Sequence, residues 1–241
     1  MSAPLLISWP ERTSKRRALP EEVASYVREL IVSGTVKPGE FLRMEPLAEA
    51  VGVSNTPVRE GLLLLRSEGF VRLVPRRGFV VAPFTPQDVR DLFWAQAQLG
   101  GELAARAAEK ITPEGIERLE DLLGSYEAAV RENNRRAIAD LGHAYHREIN
   151  LTADSHRLAL LLSSVVKHLP NRFYATIEGQ VTACRVEHPM VVEALRAGDA
   201  SRARSLMEQH IAKGADRLIE TLAQRGVWVK DERTLAVVAN G

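Results

Sequence analysis

The chain has 241 residues, 45% hydrophobic and 26% charged, which exceeds the usual size of one domain and predicts a globular protein of two. No apolar run approaches the roughly 18–20 residues needed to cross a bilayer, and the N-terminus lacks the pattern of a signal peptide, so neither a membrane nor a secreted protein is expected. The single cysteine, Cys184, excludes an internal disulfide and fits a cytoplasmic location, while the net charge of +1 hides an asymmetry: residues 1–82 hold 12 Lys and Arg against 9 Asp and Glu, and the remainder 20 against 22.

Residues 1–17 read as a flexible arm ahead of a first domain over 18–83. Pro20, then Val23, Tyr26, Val27, Leu30 and Ile31, gives one face of an amphipathic helix closed by Gly34 and Pro38-Gly39. A short helix near Glu45–Val51 buries Leu47, Ala48 and Val51 and breaks at Gly52. A third begins within Ser54-Asn55-Thr56-Pro57, capped by Thr56 with Pro57 in first position, or by Ser54. Val58, Leu62 and Leu65 form its buried stripe, leaving Asn55, Arg59 and Arg66 outside. Residues 71–74 and 79–81, joined by Pro75-Arg76-Arg77-Gly78, read as a hairpin with a basic tip.

Three helices and a hairpin, with a glycine turn between the second and third helix, make a winged helix-turn-helix. The N-terminal end of a recognition helix enters the major groove, where Arg reads guanine and Asn reads adenine through paired hydrogen bonds. Small hydroxyls such as Ser54 and Thr56, beside free backbone N–H groups, suit phosphates. The expected DNA-contacting set is Arg43, Ser54, Asn55, Thr56, Pro57, Arg59, Arg66, Arg76, Arg77 and Gly78.

The run Leu47-Ala48-Glu49 to Gly52-Val53-Ser54-Asn55-Thr56-Pro57-Val58-Arg59-Glu60, followed by Gly69 and Pro75-Arg76-Arg77-Gly78, resembles the GntR family of bacterial regulators over about sixty residues. The resemblance implies operator contacts from Ser54–Arg59 and from Arg77-Gly78. Asn55 stands where the family usually has arginine, which implies a different base preference there. Gly61 replaces a common alanine, which implies tighter helix packing.

Ala82 to Pro86 is a linker, and residues 84–228 have helical period throughout, predicting a bundle of six or seven helices and a mainly α protein. The expected starts are Thr112-Pro113, Pro189 and Gly198-Asp199, with Asn133-Asn134 as an interruption, and one helix is expected to bury Leu158, Leu161, Val165 and Leu169. A shorter helix is expected over 171–180, and 229–241 is a C-terminal tail. His146 and His210 fall on apolar stripes, where an imidazole needs a partner and is a common metal ligand. His143, His156 and His168 read as surface residues.

Tyr145-His146, Glu187-His188 and the run from Ala194 to Ile211 resemble the ligand-binding domain of the FadR-type GntR branch. That resemblance implies a homodimer on a near-palindromic operator, repression as the usual sign, and a small-molecule effector in the helical domain. It also implies a divalent metal, zinc or similar, on His146, His188 and His210. The family's Asp ligand is replaced by Gly142, and an Arg-then-Glu pair of the first bundle helix by Gln96 and Gly100. With Arg172, these three positions form the expected effector pocket. Two alternatives stand beside this reading. One is a metal-free pocket for an apolar or acyl ligand, with Gly142, Gln96 and Gly100 making it roomier. The other is a metal-dependent hydrolase, for which the sequence offers no H-E-x-x-H motif and no G-x-S-x-G.

Overall fold

The computed structural model describes residues 18–169, 178–224, 226 and 228, with the backbone alone over 178–184. The expected arm 1–17, the tail 229–241, Arg172, the Cys184 side chain and most of the short helix over 171–180 lie outside the described residues. These residues divide into two compact units, one running to Thr85 and joined by the chain from Leu222 onward, the other spanning Pro86–Thr221. The protein is mainly helical, with one small sheet in the first unit.

The first unit holds α1 (Leu19–Val32), β1 (Phe41–Leu42), α2 (Met44–Val51), α3 (Asn55–Ser67), β2 (Val71–Val74) and β3 (Gly78–Val81). Val23, Tyr26, Val27, Leu30 and Ile31 of α1 are buried, as the period predicted, and Val58, Leu62 and Leu65 of α3 are fully buried. Gly61 explains how closely the two helices pack. A Cβ there would lie 2.7 Å from the Pro20 carbonyl oxygen and 2.9 Å from the Val23 side chain. Arg28 ties the same two elements together by pairing with Glu68 at 2.5 Å, with its guanidinium above the Phe70 ring.

Gly52 ends α2 with φ of +75°, the left-handed conformation that a β-carbon disfavours, and its N–H donates to the Ala48 carbonyl at 2.9 Å. α3 then starts at Asn55 with Ser54 as its cap residue, so the second of the two expected caps applies and Thr56 is already helical. Ser54 makes no side-chain cap bond. A cap oxygen accepts from the second or third helical N–H, and the third position here is Pro57, which has none. In α2 only Leu47 is buried; Ala48 and Val51 are half-buried, a correction to the expected stripe.

The hairpin forms as expected, with Val71 opposite Val81 and Val74 opposite Gly78. β1 was not expected. It pairs antiparallel with β3, giving the order β1-β3-β2, and two residues are too short to carry a period of two.

The second unit contains α4 (Pro86–Ala108), α5 (Pro113–Arg131), α6 (Arg135–Thr152), α7 (His156–Val166), α8 (Glu178–Arg196) and most of α9 (Ala200–Gln224). Two starts carry the predicted caps, Thr112 accepting from the Gly115 N–H and Asp199 from Arg202; Asn134, expected only as part of a break, caps α6 by accepting from Ala137. Leu103, Leu119, Tyr145, Ile149, Leu195 and Met207 lie at the centre of the core. Two expectations are corrected here. Pro189 lies inside α8 rather than at its start. α7 buries Leu162, while Leu161 is 58% exposed, because the run Leu160-Leu161-Leu162 fits either stripe and only packing decides.

Because the space beside Gly61 is closed by backbone as well as side chain, Gly61→Ala should destabilise the first unit by about 1–3 kcal/mol, the usual cost of overpacking. Chemical denaturation of the variant against the parent checks this.

Candidate functional site

The buried stripe of α3 dictates what its other face presents. With Val58, Leu62 and Leu65 inward, Ser54, Asn55, Thr56, Arg59 and Arg66 are all exposed, and Arg43 is exposed ahead of α2. Pro57 is buried, so it fixes the start of the helix and does not offer a surface to DNA, a correction to the expected contact set. The α3 N-terminus offers the N–H groups of Asn55 and Thr56 to an anion. At the wing, Arg76 and Arg77 are exposed and Gly78 half-buried; Arg76 has φ of +61° and Gly78 +96°. The exposed arginines of the expected set thus sit ahead of α2 (Arg43), on the first and last turns of α3 (Arg59 and Arg66) and on the hairpin tip (Arg76 and Arg77).

The second unit contains a half-open cavity of about 450 Å³, walled in part by Gln96 of α4, Gly142, His143 and His146 of α6, His188 of α8 and His210 of α9. His146, His188 and His210 converge: one nitrogen from each lies within 4.8 Å of the others. The nearest pair is His188 Nε2 and His210 Nε2 at 3.2 Å. Their orientations are held from outside the cavity. Tyr145 stacks on the His188 ring at 4.1 Å and its hydroxyl donates to the His188 carbonyl at 3.0 Å. Glu187 accepts from His210 Nδ1 at 2.7 Å and from Lys213 at 2.7 Å. The two donors hold the Glu187 carboxyl down to about 2.

Loss of solvation, with His210 and His143 nearby, lowers His146 to about 3, and burial takes His188 well below the usual imidazole range. Both are therefore neutral at pH 7, the form in which imidazole lends its lone pair to a metal or a hydrogen-bond donor.

Of the expected pocket residues, Gln96 is buried against the cavity and Gly142 lies one helical turn before His146 with open space where a side chain would stand. Gly100 lines the cavity as expected but adds no room there, since Ile211 Cδ1 sits 2.7 Å from where its Cβ would be. Its missing side chain, like that of Gly101 beside Glu208, is taken up by α9. Asp140 is exposed and pairs with Arg136, away from the three histidines. His143 is not a surface residue; it lines the cavity, and burial lowers its pKa.

The sequence did not single out Glu187 or Tyr145 as partners. Glu187 lies 23 residues from His210 and Tyr145 lies 43 from His188, and no local period reports such pairs.

Residues 19–81 match bacterial regulatory proteins of the gntR family, and residues 91–213 match the FCD domain. The chain belongs to the GntR family. GntR-family relatives extend over most of its length. It is 25% identical over 206 residues to the HTH-type transcriptional regulator McbR of Escherichia coli, covering 82% of this chain and 93% of that one. The solved structure of E. coli McbR/YncC superposes with a TM-score of 0.61 at 22% identity, over 88% of this chain and 100% of the other, and supports the fold. The E. coli repressor GlaR is 26% identical over 77% of this chain and 89% of its own length. The E. coli Glc operon transcriptional activator is 28% identical over 68% and 72%. These relatives are DNA-binding transcription regulators and not enzymes, which sets the hydrolase reading aside. No helix among the described residues is long and apolar enough to cross a membrane.

Arg59→Ala should lower affinity for a duplex selected from random DNA by roughly tenfold or more, with its preference relaxed at one base position. Arg76→Ala should weaken binding uniformly and reduce the salt slope by about one. Anisotropy titrations at several salt concentrations separate the two effects.

The pH dependence has a defined sign. His146 binds a proton only near 3 when folded, so between about pH 6.5 and 3 the unfolded chain takes up a proton that the native one refuses, and stability falls with acidification. Glu187 adds to this in the same direction, since its stabilisation is present above the ordinary carboxylate pKa and is lost toward about 2. Denaturation series across this window should show a shallower decline for His146→Phe than for the parent.

Proposed function

We propose that this GntR-family chain is a homodimeric regulator of the FadR-type branch whose operator affinity is set by a small-molecule effector, bound with a divalent metal in the helical domain. The observation that carries the reading is the convergence of His146, His188 and His210 at the wall of the cavity. The donor set fits such an ion. His146 and His188 are neutral, and His210 has a carboxylate on its other nitrogen, the partner that metal-bound histidines commonly keep. The 3.2 Å between two Nε2 atoms is close to the separation of about 3.3 Å expected for two nitrogens on one tetrahedral zinc. His146, His188 and His210 would hold the ion, which would supply an electrophilic centre for an anionic or carbonyl oxygen of the effector.

In a dimer, two α3 helices roughly 34 Å apart would enter successive major grooves. The effector alters operator affinity only through its different affinity for the two arrangements of the dimer. Repression is the sign the family resemblance implies, yet relatives of similar identity include a repressor and an activator. We therefore assign the sign to the operator's position relative to the promoter rather than to this chain.

A second reading has its own support. With Glu187 accepting from His210 Nδ1–H, one hydrogen between His188 Nε2 and His210 Nε2 satisfies both nitrogens, so this pair is satisfied within the protein. The open space at Gly142 then belongs to a metal-free cavity for an apolar or acyl ligand. Elemental analysis of purified protein separates the two. The metal reading expects about one equivalent per chain, lost in His188→Ala and in His210→Ala, with duplex binding retained after chelation. Absence of stoichiometric metal after reconstitution would overturn it in favour of the second.

A further inference from the structure

The wing sets an exposed aromatic ring beneath one of its two tip arginines. Phe41 opens β1, and 37% of it remains exposed. The register sets Phe41 opposite Val80 and Val80 opposite Arg72, so these three residues share one face of the sheet. The Arg77 guanidinium, from the turn between β2 and β3, lies over the Phe41 ring with its central carbon 4.4 Å from the centroid. An aromatic face attracts a cation, and a guanidinium resting face-on keeps its in-plane N–H groups available. Those N–H groups are the ones that form paired bonds to a phosphate. An unrestrained arginine loses much rotamer freedom when it binds; one already laid on a ring has lost part of it in the free protein.

We propose that Phe41 is a positioning residue for DNA binding: its ring holds the Arg77 guanidinium at the wing tip, oriented for a backbone phosphate of the operator. The proposal rests on the reading of the wing as a phosphate-gripping element. It concerns β1, which lies outside the helix-turn-helix and hairpin segments assigned to DNA from sequence. It also accounts for an exposed phenylalanine on a sheet edge.

The probe is a duplex selected from random DNA against the unaltered protein, titrated by fluorescence anisotropy at several salt concentrations. Phe41→Ala should weaken binding roughly two- to fivefold, the range for an exposed cation–π contact, and Phe41→Trp should restore it. Phe41→Leu, apolar but without a ring, should behave as the alanine variant does. Arg77→Ala should weaken binding and reduce the salt slope by about one, and in its background Phe41→Ala should cost nothing further. Thermal melts establish that each variant is folded. Unchanged affinity in Phe41→Ala or Phe41→Leu, or an equal loss with and without Arg77, would overturn the proposal. Unchanged affinity in Arg77→Ala would instead sink the reading of the wing on which it rests.

Discussion

The DNA-reading unit depends on how near α1 can come to α3. At Gly61 the backbone of one helix end and the side chain of Val23 occupy the volume that any β-carbon would claim, and the buried stripe of Val58, Leu62 and Leu65 lies on the same side. Once that stripe is pressed against α1, the helix has no freedom to rotate. Asn55, Arg59 and Arg66 are then outward by geometry, and the left-handed turn at Gly52 fixes where their helix starts. A nonpolar contact thus aims the polar side chains, and the arginines contribute nothing to that aim themselves.

The second unit applies the same logic to a costlier group. Three imidazoles drawn together away from water lose solvation, and the loss is tolerable only where each ring finds partners. Glu187 meets part of that demand by accepting from His210 Nδ1, while Tyr145 stacks on the His188 ring and Lys213 holds Glu187 in place. They also restrict how the rings can turn, so the site is organised before any guest arrives. α4 contributes by what it lacks: Gly100 and Gly101 let α9 approach closely enough to bring His210 toward His188.

Much of this was legible in the sequence wherever a period repeats. The α1 and α3 stripes, the glycine turn, the caps at Thr112 and Asp199 and the break at Asn133-Asn134 rest on local chemistry that folding does not override. Short or ambiguous segments were not legible. β1 has two residues and no pattern, Leu160-Leu161-Leu162 admits two stripes, and a proline first read as a helix start lies inside α8. Within the site, His146 and His210 stood out because each sits on an apolar stripe. Glu187 and Tyr145 did not, since their roles come from packing between distant helices, and a glycine such as Gly100 does not reveal in sequence that Ile211 of a distant helix fills the space beside it.

The contact between His188 Nε2 and His210 Nε2 also carries a tautomeric consequence. Two ring nitrogens at that separation share a single hydrogen. A guest that draws on both lone pairs must displace it, and because His188 is neutral the hydrogen can pass to that ring's other nitrogen, so uptake exchanges one tautomer for the other. A guest that leaves the pair intact would leave the tautomer as it was. Ring-nitrogen chemical shifts of His188 would therefore distinguish the two kinds of occupant without their chemical identity being known.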